Sequence, residues 1–292
     1  MKQLAQQVAQ GFMFPESPRW HAGRGAFVFS DIDRGEVHEW RPGAAPRCLY
    51  RHTGMVSGLA FESAERLLVC DARNCVLLRV ELGSDEPAEV AVDFGPIRGW
   101  GINDMVRRAD GTCYVDSVDF DFMAASRGEV ERRRCRLLIA RPDGSIGVAS
   151  DEMFFPNGLV ITPDGRTLIV ADTRDRCVGA CAIAADGSLG PREVLASFPD
   201  ELPDGLCLDA SGAIWVANHG RVVRIGVDGK VLAEIGIGDA LATACMLGGA
   251  DGRSLLITAS DTMDREMMRR HPSGRLFMAR VDVPGAGLPS VY

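Results

Sequence analysis

The sequence predicts an all-β protein, a six-bladed β-propeller of four-stranded antiparallel blades. Three observations carry that expectation. A short hairpin unit (apolar run, glycine-bearing turn, second apolar run) recurs six times. A further strand candidate follows most copies, and helical periodicity is hardly visible. Repeats of about 40–50 residues with four strands apiece are the signature of propeller blades.

The copies follow one another along the chain. ESPRWHAGRGAFVFSD begins at Glu16 and is followed by GEVHEWRPG. SGLAFESAERLLVCD begins at Ser57 and precedes CVLLRVELG. NDMVRRADGTCYVDS begins at Asn103 and precedes CRLLIARPDG. NGLVITPDGRTLIVAD begins at Asn157, DGLCLDASGAIWVAN at Asp204 and ACMLGGADGRSLLITA at Ala244, with VGACAIAADG, RVVRIGVDG and GRLFMARVD behind them. Glycine in these turns supplies the positive φ that tight hairpins need. The starts lie 41, 46, 54, 47 and 40 residues apart. The longest interval contains VDFDFMAASRGEVERRR, residues 118–134, read as a lid over one mouth of the channel. The whole chain, 1–292, is expected to form one domain. Segment 3–14 is expected to pair with the last blade and close the ring, which removes an exposed edge.

Composition narrows the function classes. The chain has 292 residues, 46% of them hydrophobic, and a formal net charge of −8 from 32 basic and 40 acidic residues. A net acidic surface repels nucleic acid and anionic membrane, so neither is expected as a partner. No stretch approaches the length of a membrane span, and the N-terminus has no secretory h-region. Nine cysteines without short paired spacings read as free thiols in a reducing cytoplasm. A monomer or weak dimer is expected.

In a propeller the first strand of each blade lines the central channel, so the first residue of each copy contributes to a ring at its mouth. That ring reads Glu16, Ser57, Asn103, Asn157, Asp204, Ala244. Two carboxylates held together repel unless one is protonated or a cation lies between them. Carboxylate and amide oxygens are hard donors, suited to Ca²⁺, Mg²⁺ or Mn²⁺ and less typically to Zn²⁺. Three or four protein ligands leave coordination positions free for water and substrate. The ends of the second strands return to the same rim, with Ser30, Asp31, Asp71, Ser117, Asp119, Asp172, Thr173, Asn218 and His219 as candidates.

The motifs FPESPRW, INDM, PNGLVITPDGRTLIVADT and PDGLCLDASGAIWVAN together resemble the regucalcin, gluconolactonase and luciferin-regenerating enzyme family over nearly the whole chain. The resemblance implies a six-bladed metal-dependent lactonase acting on a small-molecule lactone. It assigns Glu16, Asn157 and Asp204 as ligands of one divalent cation, Ca²⁺ first and Zn²⁺, Mn²⁺ or Mg²⁺ as alternatives. It makes Asn103 a substrate contact and Asp204 the catalytic acid/base. One position departs from the sugar-lactonase pattern: Gly101, preceded by Trp100, stands where an arginine is common. Trp100, Gly101, Asp119 and Asp121 complete the expected substrate contacts, and an arginine at 101 is expected to restore a donor beside Asn103. Two other readings use the same ring: an arylesterase or phosphotriesterase, and a non-catalytic propeller that binds a small molecule or protein. The chain has no GxSxG elbow that would suggest a serine nucleophile.

Overall fold

The structure is a computed structural model that describes residues 3–84 and 86–287. It is an all-β propeller. Four blades are separate four-stranded antiparallel sheets. The first comprises Pro15–His21, Ala26–Asp31, Glu36–Trp40 and Arg47–Arg51. The second runs from Val56–Phe61 through Arg66–Asp71 and Val76–Glu81 to Glu89–Asp93. The third holds Gly101–Arg107, Cys113–Val118, Cys135–Ala140 and Ile146–Met153, and the fourth Pro156–Ile161, Thr167–Asp172, Cys177–Ala182 and Glu193–Ser197.

The remaining strands differ from the expected two further separate blades. They form one seven-stranded sheet: Leu206–Leu208, Ile214–Ile225, Val231–Gly248, Ser254–Ser260, Gly274–Arg280 and Gln6–Phe12 in order, with Gln3–Leu4 parallel to Val231–Gly248. The physical reason lies in two glycines. Gly220 and Gly238, with φ of 74° and 82°, bend the chain without ending the strands. Pairing therefore slips register between Arg221↔Gly236 and His219↔Leu241 yet stays within one sheet. Gln6–Phe12 is the outer strand of this sheet, antiparallel to Gly274–Arg280.

The apolar core lies between adjacent sheets. Leu59, Phe61 and Leu67 of the second blade meet Val28 and Val37 of the first. Met105 and Val115 of the third meet Leu68 and Leu77 of the second. Leu159 and Val170 of the fourth pack on Tyr114 and Leu137 of the third. Eight of the nine cysteines are buried in these layers, and all nine are free thiols.

The innermost strands share an irregularity. Antiparallel pairing slips between Glu16 and Arg19, Val56 and Leu59, Ile102 and Met105, Pro156 and Leu159, and Ala242 and Ala244. A bulge frees backbone from the ladder and re-aims side chains. In each of the first four blades the slip spans the residues next to the expected ring position. In the last case the slip leaves out Thr243, one residue before the Ala244 expected from alignment.

Close approach at the axis requires glycine beside the ring. A Cβ on Gly158 would lie 2.6 Å from the Asp204 carbonyl oxygen and 2.7 Å from Gly205 Cα. One on Gly205 would lie 2.6 Å from Ala244 Cα. Gly158→Ala is therefore expected to cost about 1–3 kcal/mol, the scale of overpacking, and to displace Asp204. Gly147→Ala is the control, because its Cβ would meet Ile139 Cγ2 at an ordinary 3.6 Å. Chemical denaturation of both variants checks the difference, and equal stabilities would sink it.

Candidate active site

The bulged inner strands open into a chamber of about 400 Å³ whose lining includes Glu16, Ser57, Asn103, Asn157 and Asp204. The ring residues of five repeats thus face one cavity, and Thr243 joins them from the seven-stranded sheet. Two of them touch directly: Asn103 Nδ2 donates to Asn157 Oδ1 at 3.1 Å. Asn157 Nδ2 donates to Thr173 Oγ1, which donates to the Pro203 carbonyl beside Asp204.

Beneath the ring lies a buried acidic layer with few counter-charges. Glu16 is turned by Ser17, whose φ of 47° is rare for a residue with a side chain. The Ser17 N–H donates to Glu16 Oε2, and its hydroxyl donates to Asp104 Oδ1 at 2.9 Å. Arg19 pairs with Asp104 at 3.2 Å and donates to the Leu59 and Met105 carbonyls. Asp116 accepts the N–H groups of both Asn103 and Asp104, at 2.8 and 2.9 Å, and so fixes the bulge that carries Asn103.

Burial, reinforced by the Asp104 carboxylate, raises the pKa of Glu16 from 4.5 to about 8. Burial also holds Asp204 well above the ordinary carboxyl range, with Glu16, Asp104 and Asp116 adding to the rise. Asp204 Oδ1 is buried without a hydrogen-bond partner. A buried, orphaned carboxylate oxygen is costly unless something compensates it. The donor set of carboxylates and an amide, with its excess of negative charge, fits a divalent cation. Glu16, Asn157 and Asp204 would hold it.

The expected substrate contacts divide. Trp100 and Gly101 line the chamber with Asn103. Asp119 and Asp121 are not among the described lining residues, because local partners hold them. Asp119 pairs with Arg136 at 2.6 Å and accepts from Ser117, while Asp121 caps the helix Phe122–Ser126 by accepting from the Ala124 N–H. A Cβ on Gly101 would lie 2.9 Å from the Ala72 carbonyl oxygen, so an arginine there must displace backbone.

Several rim candidates prove to be braces. Asp31 accepts from the Met13 and Phe14 N–H groups, and Asp172 from those of Phe154 and Phe155. His219 is exposed at the chamber lining.

Sequence reasoning missed Asp104, Asp116 and Arg19. Asp116 was hard to find, since it stands one residue before the position that Ser117 shares with Asp31, Asp71 and Asp172 at the end of the second strand. It also missed the helix Arg265–Arg270, which brings Arg265 and Met268 to the chamber. A separate buried cluster, Asp31, Glu36 and His38, has ligand atoms within 4.8 Å of one another. Most of its atoms are already used: Glu36 holds His38 and Arg51, and Asp31 holds backbone N–H groups.

Residues 14–261 match the model of the SMP-30/Gluconolactonase/LRE-like region. The chain belongs to this family. It is 33% identical to regucalcin of Gallus gallus over 265 residues, covering 88% of this chain and 87% of that protein. Over 166 residues it is 32% identical to the 6-deoxy-6-sulfogluconolactonase of Pseudomonas putida, covering 54% of this chain and 57% of that protein. Among solved structures it is similar to a gluconolactonase from Xanthomonas campestris, with a TM-score of 0.76 and 27% identity over 96% of this chain and 88% of that one.

The acidic layer predicts a pH dependence. Glu16 binds its proton more tightly in the folded protein than in the unfolded chain, so folding without metal takes up a proton between the two pKa values. Stability of the metal-free protein is therefore expected to fall as pH rises from about 4.5 to about 8. Glu16→Gln should flatten that slope. Thermal melts in chelator across this range measure it, and a wild-type slope no steeper than the variant's would show that Glu16 is ionised throughout.

Proposed function

We propose that the protein is a divalent-metal-dependent lactonase that opens a small lactone at the mouth of a six-bladed channel. In this reading the seven-stranded sheet counts as two blades that share continuous strands. Residues 1–292 are one domain, segment 3–14 closes the ring, and 118–134 covers the mouth as a lid. Support for the lid comes from Phe122 and Met123, which belong to that segment and line the chamber.

The observation that carries the reading is the convergence of Glu16, Asn103, Asn157 and Asp204 on one chamber, with Asp204 Oδ1 unpartnered. Glu16, Asn157 and Asp204 hold the cation, with Ca²⁺ preferred because all three offer oxygen. When bound, it supplies an electrophile for the lactone carbonyl. Asp204 positions a water and accepts its proton as the water oxygen bonds to the carbonyl carbon. Asn103 exchanges its Nδ2 bond to Asn157 Oδ1 for one to the oxygen on which charge develops. The ring C–O bond then breaks, and the proton returns from Asp204 to the departing alkoxide, leaving a hydroxy acid. Trp100 and Gly101 form the wall beside Asn103, and Asp119 and Asp121 act through the loop they brace.

The chamber also carries Phe14, Phe122, Phe155, Met55 and Met263. That apolar wall favours a second reading, an arylesterase or phosphotriesterase on the same residues. No nucleic-acid or membrane partner enters either reading. No described helix is long and apolar enough to cross a membrane, and the free thiols suit a cytoplasmic monomer or weak dimer.

A pH-indicator assay over aldono-, aryl and aliphatic lactones, with and without chelator, tests the proposal. Chelator-sensitive turnover of at least one lactone is expected, at rates exceeding those on aryl phosphotriesters. No such turnover on any of them would overturn it. Asp204→Asn keeps the shape and one oxygen but removes a charge and the base. Turnover at saturating metal is expected to fall by about 10²-fold or more, and a near-wild-type rate would show that Asp204 is not the base.

A further inference from the structure

Four arginines line the chamber: Arg73, Arg174, Arg176 and Arg265. Two are engaged within the protein. Arg265 pairs with Asp33 at 3.3 Å, and Arg176 donates to the Pro199 carbonyl. The other two make no ion pair with a carboxylate among the described residues. Each lies instead on an aromatic ring. The Arg73 guanidinium sits 3.4 Å from the Trp100 ring centroid, and that of Arg174 sits 5.2 Å from the centroid of Phe122.

Their placement is specific. Arg73 follows the second strand of the second blade, and Arg174 follows the second strand of the fourth. Trp100 and Phe122 both flank the third blade, immediately before its first strand and in its long insertion. Two arginines from opposite sides therefore lean over the rim of the blade that presents Asn103.

Neither guanidinium forms an ion pair with a carboxylate among the described residues, and on Arg73 the positive Arg265 acts against the negative Asp121. Arg174 Nε is buried and has no hydrogen-bond partner. The charges that act on Arg174 come from Arg132 and Arg176, both positive. The chamber's carboxylates are committed elsewhere: Glu16 and Asp204 face the ring, Asp33 holds Arg265, and Glu201 holds Arg221. Asp200, the remaining one, is exposed. Arg73 is exposed, whereas Arg174 is half-buried and its unpartnered Nε is costly without an acceptor. The planar fork of arginine fits a carboxylate, sulfonate or phosphate in two-point contact.

We propose that Arg73 and Arg174 form an anion subsite over the third blade, and that the chamber's substrate is a lactone bearing an anionic substituent. The second half of this proposal rests on the lactonase reading, and the first half does not. The ring carbonyl lies at Asn103 and Asp204 while the substituent's charge lies toward the arginines of the rim. Contact with Trp100 and Phe122 already restrains those groups, so less side-chain freedom is lost when the anion enters.

Two measurements test this separately. The first compares kcat/KM on lactones matched except for charge: D-glucono-1,4-lactone against D-glucaro-1,4-lactone for a carboxylate, and D-glucono-1,5-lactone against its 6-phosphate for a phosphate. The wild type is expected to prefer one of the anionic partners by about tenfold or more, the scale of a charged hydrogen bond. The preferred pair identifies the anion. Arg174→Gln and Arg73→Gln should each reduce that anionic-to-neutral ratio about tenfold, with thermal melts verifying folding and Arg174→Lys standing in if Arg174→Gln is unstable. The second measurement needs no turnover. Trp100 lies under Arg73, so titration with inorganic phosphate, or with glutarate as a carboxylate, should change tryptophan emission in the wild type and not in Arg73→Gln. An emission response without lactone turnover would keep the subsite and sink the lactonase reading. Lactone turnover with neither charge preference nor emission response would leave that reading intact and overturn the subsite.

Discussion

The chamber depends on how closely the inner strands approach the propeller axis. Gly158 and Gly205 have no side chain where a Cβ would strike the backbone of the next inner strand. That proximity lets side chains from separate blades meet around one point. It also leaves no room for regular pairing, and the ladders slip next to the ring residues. The bulges are therefore part of the same constraint as the glycines. They turn Glu16, Asn103 and Asn157 away from the sheet faces and toward the cavity.

Electrostatics follows from that crowding. Glu16, Asp104, Asp116 and Asp204 are drawn into one desolvated layer, and Arg19 is the cation paired there, through Asp104. The layer serves two purposes. Asp116 accepts two backbone N–H groups at Oδ1 and the Asn103 side-chain amide at Oδ2, and so holds the Asn103 bulge in shape. Glu16 and Asp204 face the chamber, and burial pushes both toward the protonated form unless a cation joins them. Structural and chemical carboxylates thus sit side by side, and hydrogen bonding decides which is which.

Much of this was legible in the sequence, for a physical reason. Hairpin turns need glycine, strands need apolar alternation, and the polar residue before each inner strand breaks that alternation, so Glu16, Asn103, Asn157 and Asp204 stood out. Asp104 and Arg19 did not, because each sits inside a strand-like run and its partner lies far away in sequence. Asp119 and Asp121 looked available because they lie in a polar loop, yet a salt bridge and a helix cap occupy them. The sequence does not mark Gly220 and Gly238 as bends within continuous strands. Only the paired backbone reveals bends that strands pass through. Arg73 and Arg174 carried no sequence signal, since an arginine after a strand is ordinary until its neighbours prove to be aromatic rings.

The pairing of Gln6–Phe12 with Gly274–Arg280 has a consequence for biosynthesis. The outer strand of the last sheet leaves the ribosome before the four separate blades, and its partner emerges after them. Until then the N-terminal strand has no ladder to join, and the inward faces of the first blade lack one flank. Closing so large a loop comes late because its entropic cost must be met before any contact rewards it. A chain that had formed its first four blades but not this pairing would carry an unpaired strand edge at Gln6–Phe12. Such edges invite pairing between molecules. Crowded overexpression selects against this intermediate well before it tests the finished ring.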